Sequence, residues 1–308
     1  MELFDIVTVG HLSIDFITSP ARTSAKPTLG GPPTYVSLAA KKLNADVSII
    51  SKVGNDLPPE YLRWLEKQGV DISMVKQVTN ASTTSYALRY GENGKRRLVL
   101  KNRGPLIKGE DIPCSFKTKA AHIAPIANEI VYEAVLKLRR QAELVSLDPQ
   151  GFIRFFKQDG TVHLGKMRNP EVLQHVDVVK ASEDEMKAMT GEPDLEKAVR
   201  KICQQGVKTV IVTRGRKGAV LRVNGRTYHI PVSKPNVVVD TTGAGDAFIG
   251  GFLAEHVRGK DAVWSACVGS ASASFVVEEP GPSGFGLKKD VYERAEQVYA
   301  DVHVVRRL

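Results

Sequence analysis

The stretch Thr209-Val210-Ile211-Val212-Thr213 is β-branched at every position. A strand with one wet face alternates apolar and polar residues. A continuous run instead reads as a strand buried on both sides, as in a parallel sheet covered by helices. Similar strand-like runs at Ile6–Gly10, Val47–Val53, His122–Ala124, Val145–Asp148 and Val176–Lys180 alternate with helical segments. The helical segments are Pro33–Leu43, Glu60–Gln68, Val131–Leu144, Ser182–Met189, Glu196–Gln204, Asp246–His256, Ala262–Phe275 and one beginning at Asp290. Gly69 and Gly206 supply two helix stops. This rhythm predicts an α/β fold, a doubly wound, mainly parallel sheet with helices on both faces.

The early hairpin and the stretch near Asp15 do not fit this rhythm. Thr83–Leu100 places β-prone runs on either side of Gly91-Glu92-Asn93-Gly94, and Gly218–Ile230 turns at Asn224-Gly225; both read as hairpins. The first hairpin and the stretch around Asp15 predict a small β lid, drawn from about 12–28 and 83–101, on a single domain spanning 1–308.

The formal charge of +9 raises the question of an anionic partner. The basic residues are dispersed. Lys95-Arg96-Arg97, Lys101–Arg103, Arg214–Lys217 and Arg306-Arg307 all fall short of a run of five, which favours solvated surface over a nucleic-acid interface. No nucleic-acid recognition motif accompanies them. An anionic substrate or a nucleotide is the other reading. Cys114, Cys203 and Cys267 are odd in number and far apart, so neither a disulfide framework nor a metal knuckle is expected. A reducing, cytoplasmic setting fits. The acidic start Met1–Asp5 is unlike a signal peptide, and no apolar stretch reaches the length of a membrane span.

The chemistry concentrates in Asp240-Thr241-Thr242-Gly243-Ala244-Gly245-Asp246-Ala247-Phe248, after the β-prone run Val237–Val239 and at the start of an apolar helix. Gly243 and Gly245 permit a tight turn with exposed N–H groups at a helix N-terminus, where aligned peptide dipoles favour an anion. Phosphoryl transfer spreads negative charge over equatorial oxygens, so such a cradle suits its transition state. Asp246 stands beside it, able to accept a hydrogen bond from a substrate hydroxyl; the bland alternative is an acidic residue complementing the helix dipole.

This nonapeptide resembles the C-terminal signature of the ribokinase/PfkB family of carbohydrate and nucleoside kinases. Leu29–Ser37, containing Gly30-Gly31, resembles the family's N-terminal sugar-binding signature, Val53–Asp56 the element after it, and Thr213–Gly218 the loop that approaches the nucleotide. The resemblance implies an ATP- and Mg²⁺-dependent kinase acting on a small polyol. In it Asp246 is the general base, and Gly243, Ala244 and Gly245 form the anion hole. Asp15, Gly30 and Gly31 bind substrate, while Thr213, Gly215, Gly218 and Thr242 lie against the nucleotide. Asp240 and Thr242 match positions near a monovalent cation, which leaves room for K⁺. A homodimer through the lid is a further family-level expectation.

The chain also departs from the family pattern. Tyr35 replaces a common Asn, and Ser182-Glu183-Asp184-Glu185 replaces an Asn-x-x-Glu element that organises Mg²⁺ and phosphates. Ser182 followed by Glu185 is equally a helix capping box. Tyr35, Lys180-Ala181-Ser182 and Asp148-Pro149-Gln150-Gly151-Phe152-Ile153-Arg154 resemble inositol kinases of the family, implying a cyclitol such as myo-inositol with Asp148 and Arg154 near it. Arg154 reads alternatively as a surface ion-pair partner. Ribose, 2-keto-3-deoxygluconate, fructose phosphate and nucleosides are alternative acceptors, and a non-catalytic nucleotide-binding regulator is the non-enzyme alternative.

Overall fold

The structure, a computed structural model, describes residues 2–18, 26–90 and 96–305. The Gly91–Gly94 turn, Lys95 and the Arg306-Arg307 pair lie outside the described residues, as does part of the 12–28 segment.

The chain opens with β1 (Glu2–Val9), β2 (Ser13–Thr18), β3 (Pro27–Gly30), α1 (Pro32–Lys42), β4 (Val47–Gly54), α2 (Pro59–Lys67) and β5 (Val75–Val78). Then follow β6 (Thr84–Tyr90), β7 (Arg96–Asn102), β8 (Phe116–Ile123), α3 (Tyr132–Arg139), β9 (Ala142–Leu147), α4 (Gln150–Ile153), β10 (Arg154–Phe156) and β11 (Val162–Leu164). The rest comprises β12 (Val178–Ser182), α5 (Glu183–Thr190), α6 (Leu195–Cys203), β13 (Thr209–Thr213), β14 (Ala219–Val223), β15 (Arg226–Ile230), α7 (Ala244–His256), α8 (Ala262–Val276), α9 (Lys288–Ala300) and β16 (His303–Val304).

A ten-stranded sheet runs in the order β16-β15-β14-β13-β12-β9-β8-β1-β4-β5. It is parallel from β13 to β5 and antiparallel beyond β13. Two large apolar clusters, built around Val9, Ile123, Val145 and Val179 and around Ile6, Ile49, Phe252 and Leu253, bury its faces. Thr209–Thr213 is the parallel strand β13, as its composition requires. A second sheet, β3-β2-β6-β7, stands apart.

From β1 the chain builds outward through β4 and β5, then returns to the other side of β1 and builds through β8, β9, β12 and β13. The order therefore reverses between β1 and β8. At such a switch the two following loops diverge and leave a crevice beyond the C-terminal strand ends. Here the loops are tied together by the fully buried Glu129. Its carboxylate accepts from the backbone N–H of His11 at 3.1 Å, Ile126 at 3.0 Å and Ala127 at 2.7 Å. His11 then reaches the small sheet. Its Nε2 donates to Pro105 O (2.9 Å), and its Nδ1 accepts from Thr84 Oγ1 (2.6 Å). Asp56 accepts from Thr83 N at 2.6 Å, holding the entry to β6.

Two sequence expectations are corrected. The helix expected over Val131–Leu144 ends at Arg139, and Leu144 lies in β9 opposite Ala120 of β8. Parallel pairing with a neighbouring strand outweighs the helical propensity of that stretch. The Val237–Val239 run forms no strand; its side chains are 50–55% exposed, and Val239 N donates to Val277 O. β5, β10, β11 and β16 are short edge or ribbon strands with too few residues to signal themselves.

Glu129→Gln keeps the size of the side chain but puts an amide among three N–H donors. Hydrogen bonds to a charged acceptor contribute about 1.5–3 kcal/mol each. The variant should melt at least several degrees below the wild type in a thermal scan, and an unchanged melting temperature would remove Glu129 as the tie between the two loops.

Candidate functional site

A cavity of about 260 Å³ opens at the C-terminal ends of β1, β8, β9, β12 and β13. Of the residues singled out in the sequence, Asp15, Gly31, Tyr35, Arg154, Ser182, Glu185, Thr213, Thr242, Gly243, Gly245 and Asp246 line it. Segments far apart in sequence meet there: most follow a strand of the large sheet or face inward from the small sheet, while Thr242–Asp246 come from the loop and helix start after β15.

The anion cradle is the start of α7. Gly243 caps it in the left-handed region, φ 78°, and Ala244–Asp246 form its first turn. A Cβ on Gly243 would stand 2.2 Å from the ring of the buried Tyr35, so only glycine fits against that ring. Phe285 packs on Tyr35 in turn, with ring centroids 6.4 Å apart.

Asp246 reaches the cavity from the first turn of α7, yet its Oδ1 is shut off from bulk solvent and has no hydrogen-bond partner among the described residues. Burial pushes its carboxyl up to about 7; the nearby Lys180 ammonium opposes the rise, while Asp148 and Glu185 add to it. A group titrating there exchanges a proton readily near neutral pH.

Behind Asp246 lies a polar chain. Lys180 Nζ, on a side chain 3% exposed, donates to the fully buried Asp148 at 2.6 Å. Asp148 also accepts from Gln150 Nε2 at 3.3 Å, and Gln150 Oε1 accepts from Arg154 Nη2. Arg154 donates a second bond to Ile126 O and lies over the Tyr86 ring. Asp148 is thus a support beneath the cavity rather than part of its lining, and Arg154 is a buried residue, not the surface ion-pair partner of the alternative reading.

On the opposite wall, Asp15 is 6% exposed and accepts from Ser13 Oγ at 2.8 Å. Gly30 pairs with Ser13 across β2 and β3, and a Cβ there would run into the Asp15 carboxylate at 2.1 Å. Gly30 therefore makes room for Asp15. In the register of the small sheet Asp15 lies beside Tyr86, Ile17 beside Leu88, and Leu88 opposite Leu98. The inner face of that sheet passes from polar, at Ser13 and Asp15, to apolar, at Leu88 and Leu98.

Ser182 and Glu185 do form a capping box: Glu185 N donates to Ser182 Oγ at 3.3 Å, and Ser182 N to Glu185 Oε2 at 2.8 Å. Both still line the cavity, so the cap and a ligand role coexist. Asp240 accepts from Thr242 N at 2.9 Å and from Gly281 N at 3.5 Å, which joins the cradle loop to the loop after α8. Gly215 and Gly218 flank a short turn beyond β13, outside the lining; Thr213 is the part of that segment that reaches the cavity. Ala244 and Asp240 also stand outside it.

Sequence reasoning passed over Tyr86, Leu88, Leu98 and Ile126, and met Lys180 and Gln150 only as members of a motif without a site role; all six line the cavity. Lys180 had a usable signal. It precedes Ser182 by two residues at a strand end, so both side chains face the same way.

The sequence pattern of the pfkB family carbohydrate kinases matches residues 3–289. A cytidine kinase of Thermococcus kodakarensis is 33% identical over 264 residues, covering 84% of this chain and 90% of that protein. The nucleoside kinase of Methanocaldococcus jannaschii superposes with a TM-score of 0.77 at 26% identity, covering 96% of this chain and 99% of its own. A pyrophosphate-dependent kinase of the ribokinase family, complexed with a pyrophosphate analog and myo-inositol, shares the fold with a TM-score of 0.80 at 23% identity, covering 94% and 99%. A match over nearly the whole sequence, together with a glycine-rich helix start facing a strand-end cavity, places this chain in the PfkB family of carbohydrate kinases, phosphotransferases whose acceptor is a hydroxyl group.

Proposed function

We propose that the protein transfers the terminal phosphoryl group of ATP to a hydroxyl of a small polyol, with Asp246 as general base. The observation that carries this reading is the solvent-shielded Oδ1 of Asp246, without a hydrogen-bond partner among the described residues, beside the N–H groups opening α7. In the step, Asp246 takes the acceptor's hydroxyl proton and the acceptor oxygen bonds to phosphorus. The bond from phosphorus to the bridging oxygen breaks, and ADP leaves with that electron pair. The amides of Gly243–Gly245 face the oxygens on which charge accumulates.

Among the described residues no three His, Cys, Asp or Glu side chains converge to hold a metal ion. That fits Mg²⁺, which prefers water and phosphate oxygens to an all-protein cage. Glu185, on the cavity wall, would hold it, and the ion would neutralise the phosphates. Asp240 and the loop at Gly281 would hold K⁺. The exposed valines 237–239 beside the cradle offer an apolar face to a nucleotide base. The small sheet acts as a lid carrying acceptor contacts, on one kinase domain.

A nucleoside is the acceptor the walls favour. Its ribose hydroxyls suit Asp15 and Ser13, and its flat base suits Tyr86, Leu88, Leu98 and Ile126. A cyclitol would leave hydroxyls unpaired against those leucines, at about 1–3 kcal/mol for each buried group. The cyclitol reading stands second, favoured by Tyr35 and the Gln150–Arg154 pair. A coupled ADP-release assay over cytidine, other nucleosides, myo-inositol, ribose and fructose 6-phosphate decides between them. A nucleoside should show the highest kcat/KM by at least tenfold, and a tenfold preference for myo-inositol would reverse the order. The same assay with pyrophosphate in place of ATP tests the donor.

Asp246→Asn should lower kcat by about 10²–10⁴-fold, the usual contribution of a positioned base, while ATP affinity changes little. Turnover at the wild-type rate would refute the base assignment. In the wild type, kcat/KM should fall tenfold per pH unit below about 7, because the base must be ionised. The same raised pKa means that the neutral form is the one the fold prefers, so its stabilising effect is lost as pH rises through about 7. Asp246→Asn should therefore melt above the wild type at pH 8, on the order of a few degrees, with the gap narrowing as pH falls below about 7 toward the ordinary value of 3.8. A gap that widens on acidification would contradict this.

A further inference from the structure

We infer that Lys180 touches the migrating phosphoryl group and serves as a fixed cation of the transfer step. This deepens the reading of Asp246 above and rests on it. Lys180 lies on β12 with its side chain 3% exposed, and it lines the cavity. A Cβ on Gly245 would stand 2.8 Å from Lys180 Nζ, so the ammonium sits against the turn whose amides open α7. An ammonium carries three N–H donors. Among the described residues its hydrogen-bond partner is Asp148 alone, at 2.6 Å. Two donors on an almost fully buried cation are therefore left for a ligand at the cradle. An anionic oxygen suits them, since an unmet buried donor is costly.

The charges around it favour the same use. Burial works against the Lys180 charge, but Asp148, Asp246 and Glu185 outweigh it and hold the lysine's pKa above its ordinary value. The group remains a cation throughout and exchanges no proton; the acceptor's proton goes to Asp246, and the electron pair of the broken P–O bond leaves on ADP. Three carboxylates would otherwise repel a phosphate entering here, with Arg154 as the other cation near Asp246. The bland alternative is that Lys180 only neutralises Asp148.

Two variants separate the roles. Lys180→Met removes the cation and leaves Asp148 bare. Asp148→Asn/Lys180→Met removes both charges, so no unpaired ion is buried and the local net charge is unchanged. ATP affinity is read by calorimetry on the whole protein without an acceptor, turnover by ADP release with the best acceptor of the panel, and folding by thermal melting. We expect ATP binding about tenfold weaker and kcat about 100-fold lower in the double variant, with acceptor KM within threefold of the wild type. The inference is overturned if the double variant binds ATP within twofold and turns over within fivefold of the wild type. It is also overturned if neither variant folds, since Lys180 would then be a structural cation. Asp246→Asn is measured alongside. Wild-type turnover in that variant sinks the base assignment, whereas recovery confined to the double Lys180 variant sinks only this inference.

Discussion

Everything at the cavity depends on how the sheet is closed at its point of reversal. Two loops that would otherwise diverge, after β1 and after β8, donate three backbone N–H groups to one buried carboxylate, Glu129. A buried anion is tolerated only when its oxygens are fully satisfied. The satisfied anion therefore fixes where His11 and Ile126 stand. His11 then sets the start of β6 through Thr84, and Ile126 accepts the bonds that orient Tyr86 and Arg154. The placement of the cavity wall formed by Tyr86, Ile126 and Arg154 thus follows from a structural carboxylate that does not line the cavity.

The second organising feature is the line of buried polar groups from Arg154 through Gln150, Asp148 and Lys180 to Asp246. Such networks are costly when incomplete and rigid when complete. Hydrogen bonds join its members from Arg154 to Lys180, and Lys180 meets Asp246 through charge proximity. Among the described residues Asp246 Oδ1 lacks a partner, and Lys180 has donors to spare. Unmet groups at a cavity wall are what a ligand completes, and the proposed roles of Asp246 and Lys180 rest on that.

Much of this was legible in the sequence for local reasons. The β-branched run at Thr209–Thr213, the glycines of the cradle and the Ser182–Glu185 capping box each act within a few residues, so their side chains state their conformation directly. The fold class followed from periodicity. The helix expected to reach Leu144 failed because pairing of β9 with β8 is a contact between distant segments. The Val237–Val239 run failed for the converse reason: β-propensity without a neighbouring strand to pair with leaves the chain as an exposed loop.

The sequence by itself determined the alternation of strands and helices, the glycine-rich turn with its adjacent aspartate, and the family to which they point. These depend on steric freedom and side-chain period, both local properties. Only the tertiary structure decided that Asp148 supports the site from beneath, that Lys180 lies against Gly245, and that the inner face of the small sheet turns from polar to apolar. Burial and charge proximity arise from segments brought together across the sheet, and their magnitudes, including the raised pKa of Asp246, exist only once water has been excluded.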